Sequence, residues 1–328
     1  MTKSRNKTIH MTNKKPEHFD VIIIGGGPAG MSASLWCRDL GLTSMLIEQK
    51  PELGGQLLWT YNKIENYLGI SAENGRDLCD RFVKHLGSRG QHFRTNVSVL
   101  DVDLASKRVI LSDGTTYSSA AIIIATGVRR RKLGIPGEAE FEDRGMLVSG
   151  AASRHDVAGK AVLILGGGDS ALENALILSE HAKKIYVVHR RRYFSSRQEF
   201  VQKALQRPNI EFITDTRITS ILGTKKLEQA VIDGPGGSRN LPVDHILVRI
   251  GVIPNSELFA GQLFLDNAGY VITDSSRETS FADVYAVGDV SNPRSPTIST
   301  AAGSAVTAIK SFMLRKSTDD MSRGNQTT

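Results

Sequence analysis

Two glycine clusters define the chemistry open to this sequence. Gly25, Gly27 and Gly30 hold the spacing G-x-G-x-x-G within Gly25-Gly26-Gly27-Pro28-Ala29-Gly30. Gly166, Gly168 and Ala171 hold it again within Gly166-Gly167-Gly168-Asp169-Ser170-Ala171. In each cluster the first glycine permits a tight turn and the second lets a pyrophosphate approach the backbone. The third small residue lets a helix pack on the preceding strand, so that the helix N-terminus faces the phosphates. The end of the next strand tells the two sites apart. Glu48 ends it in the first copy, where a carboxylate accepts hydrogen bonds from a ribose hydroxyl pair. The second copy has no acid there but His189, Arg190 and Arg191, with Arg197 as a further candidate. A carboxylate would repel a 2′-phosphate, whereas arginines grip one with forked hydrogen bonds. The second site is therefore expected to take NADPH in preference to NADH.

The elements that must position these residues follow from apolar runs. Phe19-Asp20-Val21-Ile22-Ile23-Ile24 reads as a buried strand, followed by the glycine turn, a helix through Leu40 and the strand Ser44-Met45-Leu46-Ile47. Ala161-Val162-Leu163-Ile164-Leu165 begins the second copy, with a helix to about His181 and a strand Lys184–Val188. Alternating strands and helices imply parallel sheets covered on both faces. The expected fold class is α/β, two Rossmann-like dinucleotide-binding domains with the second inserted in the first. The strands that end in Ala125-Thr126-Gly127 and in Gly251 mark the passages between domains. The first domain is expected over 18–127 and 255–316 and the inserted one over 128–254. The first domain closes through Val284–Asp289 and a helix near 299–314. Residues 1–17 read as a disordered basic tail and 317–328 as a flexible one.

Composition narrows the classes. The chain has 328 residues, a net charge of +7 and two cysteines, Cys37 and Cys79. No apolar run approaches the roughly 18 residues of a membrane span, so no membrane association is expected. Much of the excess charge sits in the N-terminal tail and one arginine cluster, which argues against nucleic-acid binding. Two cysteines outside any C-x-x-C pair build no disulfide framework and suit a reducing cytoplasm. No metal site is expected.

At this point the sequence resembles the thioredoxin reductase-like class of two-domain flavoproteins, from about 19 to 314. The resemblance rests on GGGPAG at 25–30, LGGQL at 53–57, ENYLG at 65–69, ATG at 125–127, LGIPGE at 133–138, GGGDSALE at 166–173, HRR at 189–191, GVIPN at 251–255 and VGDV at 287–290. It implies FAD at the first site and a homodimer. Glu48 would hold the adenosine ribose, and Val97 would meet the adenine through its backbone. Gly55, Gln56 and Asn66 would line the flavin. Asp289, after Gly288, would bond the ribityl or pyrophosphate portion. Thr297 and Ile298 would face the pyrimidine edge, where a helix N-terminus stabilises negative charge. The resemblance also implies domain rotation, with hinges near Thr126-Gly127 and Gly251.

One departure governs function. Counting back from Gly166, the C-x-x-C of thioredoxin reductases falls on Ser149-Gly150-Ala151-Ala152. A serine and an alanine form no disulfide. The thioredoxin reductase-like ferredoxin/flavodoxin–NADP⁺ reductases also lack the pair, and LGGQLLWTY resembles their segment, with Tyr61 at the place of a flavin-stacking tyrosine. Those reductases carry a C-terminal extension over the other flavin face, whereas the stretch after Lys316 here is short and polar, with no aromatic or histidine. The leading expectation is a reductase of that kind, whose partner is a small acidic electron carrier, ferredoxin or flavodoxin. The alternatives are a divergent thioredoxin reductase homologue without its own redox disulfide, an NAD(P)H oxidase or quinone reductase, and a flavin-binding sensor or interaction protein without turnover.

Overall fold

The computed structural model describes residues 16–90 and 92–324. The chain divides into two compact units. The first holds the described residues up to Arg129 and those from Ile253 onward; the second is Arg130–Val252.

In the first unit the strand Glu17–Ile24 lies between Ser44–Ile47 and Thr116–Ile124, all parallel. Phe93–Arg94 extends one side and Val284–Ala286 pairs with the end of Thr116–Ile124. An antiparallel pair, Val99–Asp103 and Arg108–Leu111, completes the sheet. The apolar run is continuous because both faces are covered. Side chains alternate along a strand, so Val21 and Ile23 enter one core while Ile22 and Ile24 enter the other. The first core receives the helices Pro28–Asp39, Gly75–Ser88 and Ile298–Gly324.

Register brings the site residues together. Ile24 pairs with Ile47 and with Ile124, and Ile124 with Ala286. The residues that follow, Gly25, Glu48, Ala125 and Val287, therefore share one sheet edge. Gly25 and Gly30, in the turn that leaves this edge, have no room for side chains. A Cβ at Gly25 would lie 2.4 Å from the Ala125 carbonyl oxygen, and one at Gly30 would lie 1.8 Å from that of Gly25.

The second unit repeats the plan. Its five strands are parallel, in the order Ile210–Ile213, Lys184–Val188, Ala161–Leu165, His245–Val248, Met146–Leu147. Leu163 and Leu165 face one core, Val162 and Ile164 the other. The first of these cores is capped by an antiparallel meander of Arg217–Gly223, Leu227–Gly234 and Gly237–Pro242. The helix Asp169–Ser179 covers the opposite face.

Two expectations at the ends of the chain need correction. The first strand begins at Glu17, inside the expected tail, because Glu17 continues the ladder opposite Tyr117; residues 1–15 lie outside the described residues. The last helix runs to Gly324 rather than 314, so 317–324 is not a loose tail. Lys316 pairs with Asp20 at 2.5 Å, and the Ser317 and Thr318 hydroxyls donate to carbonyls one turn back, Met313 and Leu314.

The glycine contacts give a test. Gly30→Ala is expected to destabilise the protein by roughly 3 kcal/mol through backbone overlap. Gly41→Ala, with φ +71° and open space around it, should cost only about 1 kcal/mol of conformational strain. Denaturant melts of the two variants check the difference.

Candidate functional site

The cradle of the first unit is built from backbone. Gly27 is open toward solvent, its nearest neighbour being the Gly55 Cα, 3.9 Å from a notional Cβ. Gly54 and Gly55 have φ of +132° and +53°, which bends the 53–57 segment back over the turn. Gly288, at φ +70°, lets the Gly288-Asp289 turn approach Ala29 at the start of the helix, where a Cβ would lie 2.9 Å from that of Ala29. Pro28 begins that helix, where its missing N–H costs nothing. Gly25, Gly27, Ala29, Glu48, Gly55, Ala125 and Gly288 thus gather at one edge.

Glu48 is 7% exposed and does more than face a ribose. Its Oε2 accepts from the Gly26 N–H at 2.7 Å and its Oε1 from the Lys50 N–H at 2.8 Å. Each carboxylate oxygen can accept a second bond, so the side chain both pins the glycine turn and can receive a hydroxyl. Val97 lies beside it, its N–H donating to the Glu48 carbonyl at 3.2 Å. Asp289 is different: burial raises its pKa above the usual carboxylate value, with no hydrogen bond opposing the shift. A half-buried carboxylate at the mouth of a glycine turn suits a hydroxyl-bearing ligand that supplies the missing donor.

The remaining candidates are spread more widely. Gln56 Nε2 donates to the Val128 carbonyl at 2.8 Å. Thr126 and Asn255 exchange bonds of 2.7 and 2.8 Å, and the Asn255 N–H donates to the Gly127 carbonyl at 2.9 Å. Thr297 caps the last helix, its hydroxyl accepting from the Thr300 N–H at 3.2 Å, with Ile298 packed against the core below. Tyr61 and Asn66 are exposed and the structure ties neither to the glycine turn. Trp59, 49% exposed beside Tyr61, is a second aromatic that the sequence reading passed over. Ser304 was also missed; its hydroxyl accepts from the Gly288 N–H at 3.0 Å. A serine one turn inside a helix carries no local signal of that contact.

In the second unit Gly166, His189 and Arg249 follow the paired ends Leu165, Val188 and Val248. A Cβ at Gly166 would meet the Arg249 carbonyl at 2.2 Å, and one at Gly167 would meet the His189 ring at 2.5 Å. Gly168 is open, and Ala171, fully buried, seats the helix where the first copy has glycine. The Ser170 carbonyl accepts from Asn174 Nδ2 at 2.6 Å. His189 stacks on Phe194 with ring centroids 5.4 Å apart. Burial, then the charges of Arg191 and Arg190, lower its pKa, which keeps the imidazole neutral at pH 7. Arg190 and Arg191 project as exposed residues at the same edge.

Arg197, expected as a further member of a phosphate clamp, is paired here with Asp169. Its N–H and Nε bind the Asp169 carboxylate at 2.7 and 2.9 Å, and its guanidinium lies 4.4 Å over the Phe200 ring. Asp169 also accepts from Ser196 Oγ at 2.9 Å. Asp169 therefore anchors the 195–197 loop to the start of the helix, and Arg197 neutralises a carboxylate that would otherwise oppose a phosphate.

Ser149 precedes the short helix Gly150–Ser153, whose first N–H donates to Asn174 Oδ1 at 2.7 Å. The chain's two thiols lie elsewhere, on the helices Pro28–Asp39 and Gly75–Ser88, and both are free and buried. Burial pushes Cys37 up to about 12 and Cys79 up to about 11. Thiol exchange needs the thiolate, so neither residue is poised for it.

Two glycine-turn units, one edged with a carboxylate and the other with arginines, define a flavin- and pyridine nucleotide-linked oxidoreductase. Comparison with known proteins agrees. The family model for pyridine nucleotide-disulphide oxidoreductases matches residues 19–308. A thioredoxin reductase of Listeria monocytogenes is 33% identical over 288 residues, 87% of this chain and 90% of that protein. A 34.2 kDa protein in the rubredoxin operon of Clostridium pasteurianum is 30% identical, over 84% of this chain and 90% of its own. The crystal structure of Lactococcus lactis thioredoxin reductase superposes with a TM-score of 0.80 at 31% identity, covering 90% of this chain and 98% of that one. The chain belongs to the pyridine nucleotide-disulphide oxidoreductase family and is a thioredoxin reductase-like NAD(P)H-dependent flavin enzyme. FAD and NADPH are the cofactors of that group. Among the described residues no helix is long and apolar enough to cross a membrane.

Two measurements follow. Asp289→Asn is expected to weaken FAD binding about tenfold, the worth of one hydrogen bond to a charged group, in a flavin-fluorescence titration. The apoprotein should melt no lower at pH 7, because the amide avoids the desolvation of a buried charge. Since the folded-state pKa of Asp289 is raised, the wild type gains stability as pH falls through that value, and the two apoproteins should converge there. Thiol titration of the native protein should show neither cysteine reacting on the scale of minutes, and both reacting after unfolding.

Proposed function

We propose that the protein oxidises NADPH and delivers the electrons to a small external carrier, as a ferredoxin/flavodoxin–NADP⁺ reductase-like enzyme. One observation carries this reading: both dinucleotide turns are complete, while Ser149 and Ala152 occupy the positions of the redox thiols. Hydride uptake from the reduced nicotinamide and onward electron transfer are chemistry that FAD supplies when bound. The side chains bind and orient. Glu48 and Asp289 would receive hydroxyls of the flavin nucleotide, and the open Gly27 would leave its pyrophosphate in contact with the helix N-terminus. Gly55, Gln56 and Asn66 would line the ring, with Tyr61 as a stacking surface. Thr297, capping the last helix, would place a positive dipole end where negative charge gathers. In the second unit Gly168 and Ser170 would meet the pyrophosphate of NADPH, and Arg190 and Arg191 its 2′-phosphate.

A second reading is favoured by the relatives. Several of the similar proteins are thioredoxin reductases, and reduction of a disulfide directly from the flavin would retain that substrate class without a protein dithiol. A reducing cytoplasm and a homodimer belong to the same proposal.

The cofactor assignment is testable by Arg190→Gln/Arg191→Gln. Losing two charge-assisted contacts should raise the KM for NADPH roughly 100-fold, with the KM for NADH and kcat within about twofold of wild type. The acceptor is tested by cytochrome c reduction with NADPH, with and without added ferredoxin or flavodoxin. Carrier-dependent turnover supports the reading. Equal rates without carrier, together with turnover of a low-molecular-weight disulfide, would replace it with the second.

A further inference from the structure

The strand Lys184–Val188 leaves the second unit's sheet into a loop, 189–197, that is tied down at both ends. At its start the His189 N–H donates to the Ile213 carbonyl at 2.9 Å, and the His189 carbonyl accepts from the Thr216 N–H at 3.1 Å. The His189 ring lies against Gly167, stacks on Phe194 and shares a hydrogen bond with the Tyr193 backbone. Phe194 in turn packs on Phe212, with ring centroids 5.0 Å apart. At its end the Gly167 carbonyl accepts from the N–H groups of Ser195 and Ser196, at 2.8 and 3.1 Å. The Asp169 carboxylate accepts from the Ser196 hydroxyl and the Arg197 N–H. The loop is therefore fixed relative to the glycine turn, and the Ser195 hydroxyl stands 3.8 Å from a notional Cβ on the open Gly168.

Between these anchors the loop turns Arg190, Arg191, Arg192 and Tyr193 outward. Tyr193 is 77% exposed, although Phe194 beside it is packed against the core. A ring left in water adds nothing to the core, so folding does not account for it. The Arg192 guanidinium lies 6.0 Å from the centre of the Tyr193 ring, within cation–π reach. The exposure leaves room for a second planar group on the ring. Along the loop, Tyr193 falls between Arg190-Arg191 and Ser195. The arginines suit a 2′-phosphate, and the turn beside Ser195 suits a pyrophosphate. In a dinucleotide one ribose carries both groups, and the same ribose carries the adenine. A base joined to that ribose is held close to both phosphates, and thus near the ring that lies between their sites.

We propose that Tyr193 is the platform on which the adenine of the pyridine nucleotide stacks, with Arg192 over the same ring. The proposal rests on the reading of this unit as the NADPH-binding one. It divides the work of the loop. Tyr193 binds any adenine nucleotide, because stacking on an aromatic face needs no particular phosphate. Arg190 and Arg191 select the nucleotide that carries the 2′-phosphate.

Calorimetric titration of the full-length, FAD-loaded protein tests this. The probes are adenosine 2′,5′-bisphosphate and adenosine 5′-diphosphate, which share the base and differ in the 2′-phosphate. They are applied to wild type, Tyr193→Ala, Tyr193→Leu, Tyr193→Phe and Arg190→Gln/Arg191→Gln. Tyr193 is exposed, so its variants leave the core untouched. Tyr193→Ala and Tyr193→Leu should each weaken both probes about tenfold or more, the worth of one stacked base. Tyr193→Phe keeps the ring and should stay within about twofold of wild type. The arginine double variant should weaken the bisphosphate alone. If Tyr193→Ala leaves both probes unmoved while the arginine variant still weakens the bisphosphate, the platform is overturned and the NADPH reading stands. If Tyr193→Ala weakens both probes while the arginine variant weakens neither, the platform stands and the 2′-phosphate reading fails. Equal losses in Tyr193→Phe and Tyr193→Ala would assign the effect to the hydroxyl and overturn stacking. Failure of both probes to bind the wild type overturns the platform and the reading together.

Discussion

The close approach of backbone to backbone at two glycine turns is the constraint on which the rest of the molecule depends. At Gly25 a Cβ would lie 2.4 Å from the Ala125 carbonyl, and at Gly166 one would lie 2.2 Å from that of Arg249. Only without those atoms can the chain leave a central strand, turn at once and start a helix over the sheet edge. The helix N-terminus then points where phosphates bind. The parallel register carries the consequence outward, because every neighbouring strand that ends level with the turn delivers its next residue to the same place.

The two units share this geometry and differ in charge. The first offers Glu48 and the desolvated Asp289, both suited to hydroxyl groups. The second offers Arg190 and Arg191 beside a neutral His189, and it uses Arg197 to quench Asp169 at the start of its helix. Repetition of one fold thus yields two glycine-turn edges of different charge. The segment at 149–152 reads Ser149-Gly150-Ala151-Ala152 and holds no thiol. Here Asn174 pins that segment to the cofactor helix through a hydrogen bond to Gly150, and its side chains carry no redox chemistry.

Much of this was legible in the sequence, for a physical reason. Glycine spacing reports steric constraints that act within a few residues, and the apolar runs at 21–24 and 161–165 report strands buried on both faces. What stayed hidden depends on contacts between distant positions. The second use of Glu48, tying down Gly26 and Lys50, follows from burial that no local pattern shows. The pairing of Arg197 with Asp169 required knowing that the 195–197 loop folds back on the helix start. The helix through 317–324 lacked an apolar stripe, yet Lys316 reaches Asp20 across almost the whole chain.

In the proposed function no protein dithiol stands between the flavin and the electron acceptor. Anaerobic reductive titration of the FAD-loaded enzyme with dithionite measures this directly. Full bleaching of the flavin at two electrons per FAD, with no further uptake, is the result expected of a chain whose thiols are unpaired and buried. Uptake of a second pair of electrons per FAD would reveal a redox disulfide and contradict the claim.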